Sequence, residues 1–359
     1  MDLYSISFLA PREACLQLQR HLAAAFLLVC CLFGGWSFVL AQDLDEEASE
    51  ALAEYRPDLD PESASALAKR LESLEPRLAR GEQDSLRSKL LEIAGLLFFR
   101  HGELEHARAL WEEGLKAARA AESTPQIMAL LNMNAVGVSQ AGDYARGIQL
   151  FHELVALRHD KNDRRGEGIA WNNIANCFMN LNRLPEASAA IDSAKVCFED
   201  AQFDRGLGSV YVLRGLVLLE MQRSEEALAS FEAGAAMAYK LGQKDLIATA
   251  LANRGRLKML RGEPVELALA DVDSALALWK EMDNRQQLLM VRMIRGEVLV
   301  ETGHGAEALS ELRKVLAQRE AAGEEFDALP VRNLIGAAYL ESDRLEDAKS
   351  YLEETLTIL

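Results

Sequence analysis

Seven short segments recur along the chain at a spacing that barely varies: HGELEHA, AGDYARG, LNRLPEA, MQRSEEA, RGEPVELA, TGHGAEA and SDRLEDA. Each closes on a small residue: Ala107, Gly147, Ala187, Ala227, Ala268, Ala308 and Ala348. The steps are 40 residues, with a single step of 41. A second small position lies upstream, at Gly95, Ala135, Ala175, Gly215, Gly255, Gly296 and Gly336. Comparing the two series places the extra residue between Gly255 and Ala268, and the Gly262-Glu263-Pro264 turn is where an insertion costs least. A period of this length belongs to stacked supersecondary units. One such unit cannot bury its apolar face alone, but neighbours can cover it.

Between the markers the apolar spacing is helical. Four residues after the later small position come Trp111, Phe151, Ile191, Phe231, Val272, Leu312 and Leu352. Nine residues before it, six repeats carry Phe98, Val138, Phe178, Leu218, Leu299 or Tyr339. These are stripes on helix faces. Two helices joined by a short turn approach closely only where neither carries a bulky side chain, and large neighbours then interlock around the crossing. Low aromatic content and abundant Ala, Leu and Glu also favour helix.

Trp171, Ile174, Ala175, Phe178, Ala187, Ile191 and Ala194 form a pattern that resembles the tetratricopeptide repeat. The 40-residue period is similar to the long-helix variant seen in kinesin light chains, polarity adaptors and bacterial signalling receptors. The connecting stretches DKNDRRGEG (Asp160 to Gly168) and AQFDRGLG (Ala201 to Gly208) carry the same resemblance. It covers residues 85–359 as seven repeats. It implies an all-α fold, a right-handed superhelical solenoid of antiparallel helix hairpins. It also implies a face, built from the first helix of each hairpin, on which peptides bind, with asparagines holding the peptide main chain. Candidate residues there are Asn132, Asn172, Asn176, Asn180, Arg256, Met259, Met293 and Asn333. Amides can satisfy both donors and acceptors of an extended backbone, and methionine adapts to varied apolar side chains. Where the family usually has Leu, three repeats carry Arg214, Arg254 and Arg295. Two readings stand open: each pairs with a nearby carboxylate, or the row grips an acidic ligand.

Residues 42–84 are acidic and carry Pro57, Pro61 and Pro76. Leu67, forty residues before Ala107, suggests a degenerate capping repeat in the same frame, preceded by a partner helix or a flexible stalk. Residues 1–41 contain twenty charge-free positions, Leu22 to Ala41, preceded by Arg12 and Arg20 and followed by Asp43, Asp45, Glu46 and Glu47. That asymmetry sends the following chain out of the cytoplasm. Val39-Leu40-Ala41 has the spacing of a signal-peptidase site, so a cleaved signal peptide is expected, with an uncleaved membrane anchor as the alternative. The expected compartment is therefore periplasmic or secreted, or membrane-anchored on the non-cytoplasmic side. At the other end, the last repeat is expected to expose apolar surface that a second copy or a partner covers.

The net charge of −17 argues against nucleic acid, whose phosphates need a basic surface. Cys15, Cys30, Cys31, Cys177 and Cys197 show no metal-site spacing, so neither metal nor cofactor is expected. Cys177 and Cys197 sit on opposite arms of one hairpin at different heights and are predicted to remain reduced. The six histidines form no catalytic constellation, and no Walker, GxSxG or HExxH motif occurs. The function expected is a non-catalytic protein–protein interaction scaffold of the exported compartment. The alternative is a peptide-responsive sensor acting through a separate partner protein.

Overall fold

The structure, a computed structural model, describes residues 39–78, 81, 83–322 and 325–358. All the regular structure among them is helical. The described residues divide into two compact units, those up to 203 and those from 204 onward.

The first unit holds α1 (Val39–Ala53) and α2 (Pro61–Leu74), the latter extended by a 3-10 turn, Glu75–Arg77. Three antiparallel hairpins follow: α3 (Asp84–Arg100) with α4 (Leu104–Ala120), α5 (Thr124–Gln140) with α6 (Tyr144–Asp160), and α7 (Arg164–Asn180) with α8 (Leu184–Asp200). The second unit holds four: α9 (Asp204–Glu220) with α10 (Ser224–Leu241), α11 (Lys244–Leu260) with α12 (Val265–Glu281), α13 (Arg285–Glu301) with α14 (Gly305–Ala321), and α15 (Glu325–Glu341) with α16 (Leu345–Ile358). Within each unit every helix packs on the next in sequence, so the core is a row of inter-helix layers.

Period and geometry agree. Two 17-residue helices and two three-residue turns give the forty-residue repeat. The turn between α11 and α12, residues 261–264, has four residues, and the extra residue sits there as the spacing predicted. The described joints share one conformation, with a positive φ at Gly102, Glu122, Gly142, Asn162, Asn182, Gln202, Gln222, Gly242, Gly262, Asp283, Gly303 and Asp343. These lie 20 residues apart, apart from the step across the longer turn and an undescribed position before Asp343. In the turn after α7, the Asn182 N–H donates to the Met179 carbonyl oxygen at 2.9 Å and the Arg183 N–H to that of Phe178 at 2.8 Å. The left-handed residue thus closes one helix while satisfying carbonyls that have no helical partner. Some of the helices that follow a joint are then started by a side chain. Asp143 accepts from the Arg146 N–H at 3.0 Å, and Asn284, opening α13, accepts from Gln287 at 3.1 Å.

The small positions lie where the helices of a hairpin cross. Ala107, Ala135, Ala175, Ala187, Ala227, Ala268, Ala308 and Ala348 are all fully buried. A Cβ added to Gly215 would sit 2.5 Å from Phe231, one on Gly296 2.5 Å from Leu312, and one on Gly336 2.5 Å from Leu352. Each large partner is the residue of the apolar stripe on the paired helix. The large side chain fills the volume the glycine vacates.

Of the two readings before the cap, a partner helix or a stalk, the helix is what forms: residues 43–53 are part of α1, with Ala48 and Ala51 fully buried. The frame of α2 is offset by three residues from the forty-residue count. Counted from its start, Ala64 and not Leu67 takes the small position, because the link from the 3-10 turn to α3 spans residues 78–83 instead of three residues. Arg87 ties this cap to the array: its guanidinium pairs with Asp84 at 2.7 Å and with Glu75, and both Arg87 and Asp84 are buried.

Cys177 and Cys197 are free and buried. Burial pushes both thiols up, that of Cys197 to about 11, with the neighbouring Glu167 carboxylate adding to the effect. Cys15, Cys30, Cys31 and nearly all of the apolar run from Leu22 lie outside the described residues. No described helix is long and apolar enough to cross a membrane.

Candidate functional site

Counting from each helix start shows how the candidate residues relate. Asn132 and Asn172 are the ninth residues of α5 and α7, and Met293 and Asn333 the ninth of α13 and α15. Asn176 and Arg256 are thirteenth, Met259 is sixteenth and Asn180 seventeenth. Ninth and thirteenth positions stand one turn apart on one helix face. The residues therefore fall into columns, to be taken unit by unit.

In the first unit, Asn172 and Asn176 are half-buried and Asn180 is exposed. Their amides step along α7: the Asn176 Nδ2 donates to the Asn172 main-chain oxygen at 3.2 Å, and the Asn180 Nδ2 to that of Asn176 at 2.8 Å. Back-bonding of this kind orients the side chains against their own helix. The Asn172 Oδ1 is buried and has no hydrogen-bond partner. Met179, half-buried, borders the three asparagines. Asn132 departs from expectation. It is only 3% exposed, so it serves the interior rather than a surface.

Position nine of α3 is Glu92, forty residues before Asn132, and sequence reasoning did not single it out. Extending the asparagine column by one repeat would have found it. Glu92 is half-buried. Among the described residues, no hydrogen bond or ion pair reaches its carboxylate. Burial pushes that carboxyl up to about 7, which the nearby Lys89 only partly opposes. The helix beneath it is held firmly, since the Trp111 Nε1–H donates to the Glu92 main-chain oxygen at 3.2 Å.

In the second unit the candidates separate. Met259 is 7% exposed and belongs to the core. Met293 packs on the apolar cluster of α13 to α16 while keeping part of its surface open. Arg256 pairs at 2.9 Å with Glu297, the same position of the next first helix, so its charge is already met. Asn333 is exposed. Of the arginine row, Arg254 makes two 2.7 Å bonds to Asp271, which also meets Lys258 at 2.8 Å. Burial alone would raise the Asp271 carboxyl, but hydrogen bonds from Arg254 and Lys258 hold it below its ordinary value. Arg295 reaches Asp273 at 2.8 Å and Glu307 at 3.0 Å, and Arg214 is not free either. Pairing with neighbouring carboxylates, the first of the two readings, describes Arg254 and Arg295. On the last hairpin, Leu345 and Leu356 are largely exposed.

Among the described residues no group of three or more His, Cys, Asp or Glu could hold a metal ion. No family model matches the chain, and no curated protein matches it by sequence. Solved structures do resemble it. A Rap protein complexed with Competence and Sporulation Factor matches with a TM-score of 0.69 at 14% identity, over 95% of this chain and 92% of that one. NprR in complex with its cognate peptide NprX matches at 0.58 and 16%, over 89% and 90%. A signal transduction ATPase with a tetratricopeptide repeat sensor, PH0952 from Pyrococcus horikoshii, matches at 0.60 and 15%, over 90% of this chain and 47% of that one. The fold is that of the tetratricopeptide repeat. Identities this low speak to the fold alone. Within this tetratricopeptide-type array, α3 and α7 carry polar groups with unspent capacity, the Glu92 carboxylate and the Asn172 Oδ1.

Proposed function

We propose that this tetratricopeptide-type chain is a non-catalytic interaction scaffold of the exported compartment, binding an extended peptide segment of another protein along the first helices of its first unit. The observation that carries the reading is the exposed edge of α7. There Asn172, Asn176, Met179 and Asn180 share one surface, and the Asn172 Oδ1 is without a hydrogen-bond partner. A buried acceptor with no donor is costly, and a main-chain N–H brought by a ligand relieves that cost once the amide rotates to meet it. The Rap and NprR structures, which share the fold, hold a sporulation factor and a cognate peptide respectively. The polar side chains that look reactive elsewhere are engaged in structural ion pairs, as with Arg254, Arg256 and Arg295.

The test is crosslinking of the full chain to partners in an envelope extract, comparing wild type with an Asn172→Ala, Asn176→Ala double variant. Loss of the crosslinked peptides in the variant is expected, and equal recovery overturns the assignment. The placement outside the cytoplasm rests on the charge asymmetry around Leu22 to Ala41. An alkaline phosphatase fused after residue 60, active only when exported, should be active in cells. A peptide-responsive regulator acting through a separate partner is the second reading. A change in scattering radius on peptide binding favours it, and an unchanged radius favours the scaffold.

A further inference from the structure

Buried and half-buried carboxylates on the first helices generally come with a cation. Asp84 has Arg87, Glu167 has Arg164, Asp245 has Arg205 and Glu297 has Arg256. Glu92 differs. It is half-buried, and Lys89, three residues earlier on the same helix, acts on it only through space. A carboxylate partly withdrawn from water without a counter-charge is unfavourable, and such groups cluster where a ligand supplies the missing partner. Glu92 also stands in the column of Asn132 and Asn172, two hairpins from the unpartnered Asn172 Oδ1. At about 10 Å between neighbouring helices, that separation is roughly 20 Å. An extended chain covers it in about six residues. The net charge of −17 draws cationic segments to the surface.

We infer that the first unit takes an extended peptide bearing a lysine or arginine, whose cationic group meets Glu92 while its main chain, about six residues away, meets Asn172 and Asn176. This rests on the peptide-binding reading above and adds the ligand's charge and its spacing. Glu92 supplies the counter-charge, and arrival of the cation favours its ionised form. The Trp111 bond to the Glu92 main chain fixes where that charge sits.

The experiment uses the full chain. A displayed library of random twelve-residue peptides is selected on wild type, on Glu92→Gln and on the Asn172→Ala, Asn176→Ala variant, each first shown to melt cooperatively. Wild type is expected to enrich peptides with Lys or Arg at one aligned position. A synthetic representative should bind about tenfold or more tightly than its analogue with that residue changed to Ala. Glu92→Gln should abolish this difference, whereas the asparagine variant should weaken both peptides alike. Selected peptides with no basic position, or a preference that survives Glu92→Gln, overturn the inference and leave peptide binding standing. If wild type selects no peptide at all, the peptide-binding reading fails and the inference fails with it.

Discussion

The indole of Trp111 lies against Gly95, so closely that a Cβ on the glycine would come within 2.6 Å of the indole Cδ1. The same ring carries the hydrogen bond to Glu92, one turn earlier on α3. A packing contact and the placement of a candidate binding residue thus depend on one side chain.

Glycine at these crossings is required by volume, not by backbone freedom. Gly215→Ala should cost about 1–3 kcal/mol, because its new methyl has Phe231 at 2.5 Å and the neighbouring helix cannot retreat without loosening a layer. Pairing the change with Phe231→Leu should recover part of the loss. Urea titrations of the single and double variants check this.

At the joints the requirement is conformational. Gln222 has φ of +59° and Gln202 of +50°, a region where a side chain costs energy and glycine does not. Gln222→Gly should therefore raise stability by up to about 1 kcal/mol, and Gly102→Ala should lower it by about the same amount. Thermal midpoints that move the other way would contradict the left-handed assignment.

Glu92 gives the array an unusual pH dependence. Its folded-state carboxyl lies near 7 against an ordinary 4.5. Between those values the folded chain keeps a proton that the unfolded chain has released. Stability from this group is fully present below 4.5 and is lost as pH rises through 7. Glu92→Gln should remove this slope and stabilise the protein at pH 8, on the order of 1–3 kcal/mol. Asp271 acts in the opposite sense, since its carboxyl is held low and its contribution fades as pH falls through the acid range. Melting curves from pH 4 to 9 on wild type and variant separate the two.

Removing Arg254 leaves the buried Asp271 with Lys258 alone. Arg254→Leu should cost about 2–4 kcal/mol, and adding Asp271→Asn should lessen the penalty, since the uncompensated charge is its main source. A double-mutant cycle reads the coupling directly.

Much of this was legible because repetition amplifies weak signals. No single alanine identifies a helix crossing, but Ala107 through Ala348 in register do, and two such series located an insertion to within one turn. The site was less legible. Asn132 and Asn172 occupy the same position on the first helices of successive hairpins, yet one is buried and the other half-open, since burial depends on what the next helix presents. Met259 reads as a groove residue by type and as core by packing. Arg256 is consumed by Glu297, a pairing across 41 residues that follows from the repeat but was not drawn from it. Glu92 stands at the head of a column of amides, so residue type alone does not single it out. The left-handed joint went unseen because Glu, Asn, Gln, Asp and Gly all fill it, so no residue type announces the conformation.

The four-residue turn between Leu260 and Val265 shows what such joints mean for the gene. The helices beyond it resume their count as though nothing had been added. A coding sequence built this way can gain a codon there without disturbing any helix it does not touch. It should equally lose or duplicate a whole block between two equivalent joints, such as Asn162 and Gln202. Changes of length are forgiven at the joints and punished within the helices, so the protein's history of growth and shrinkage should be written in multiples of forty.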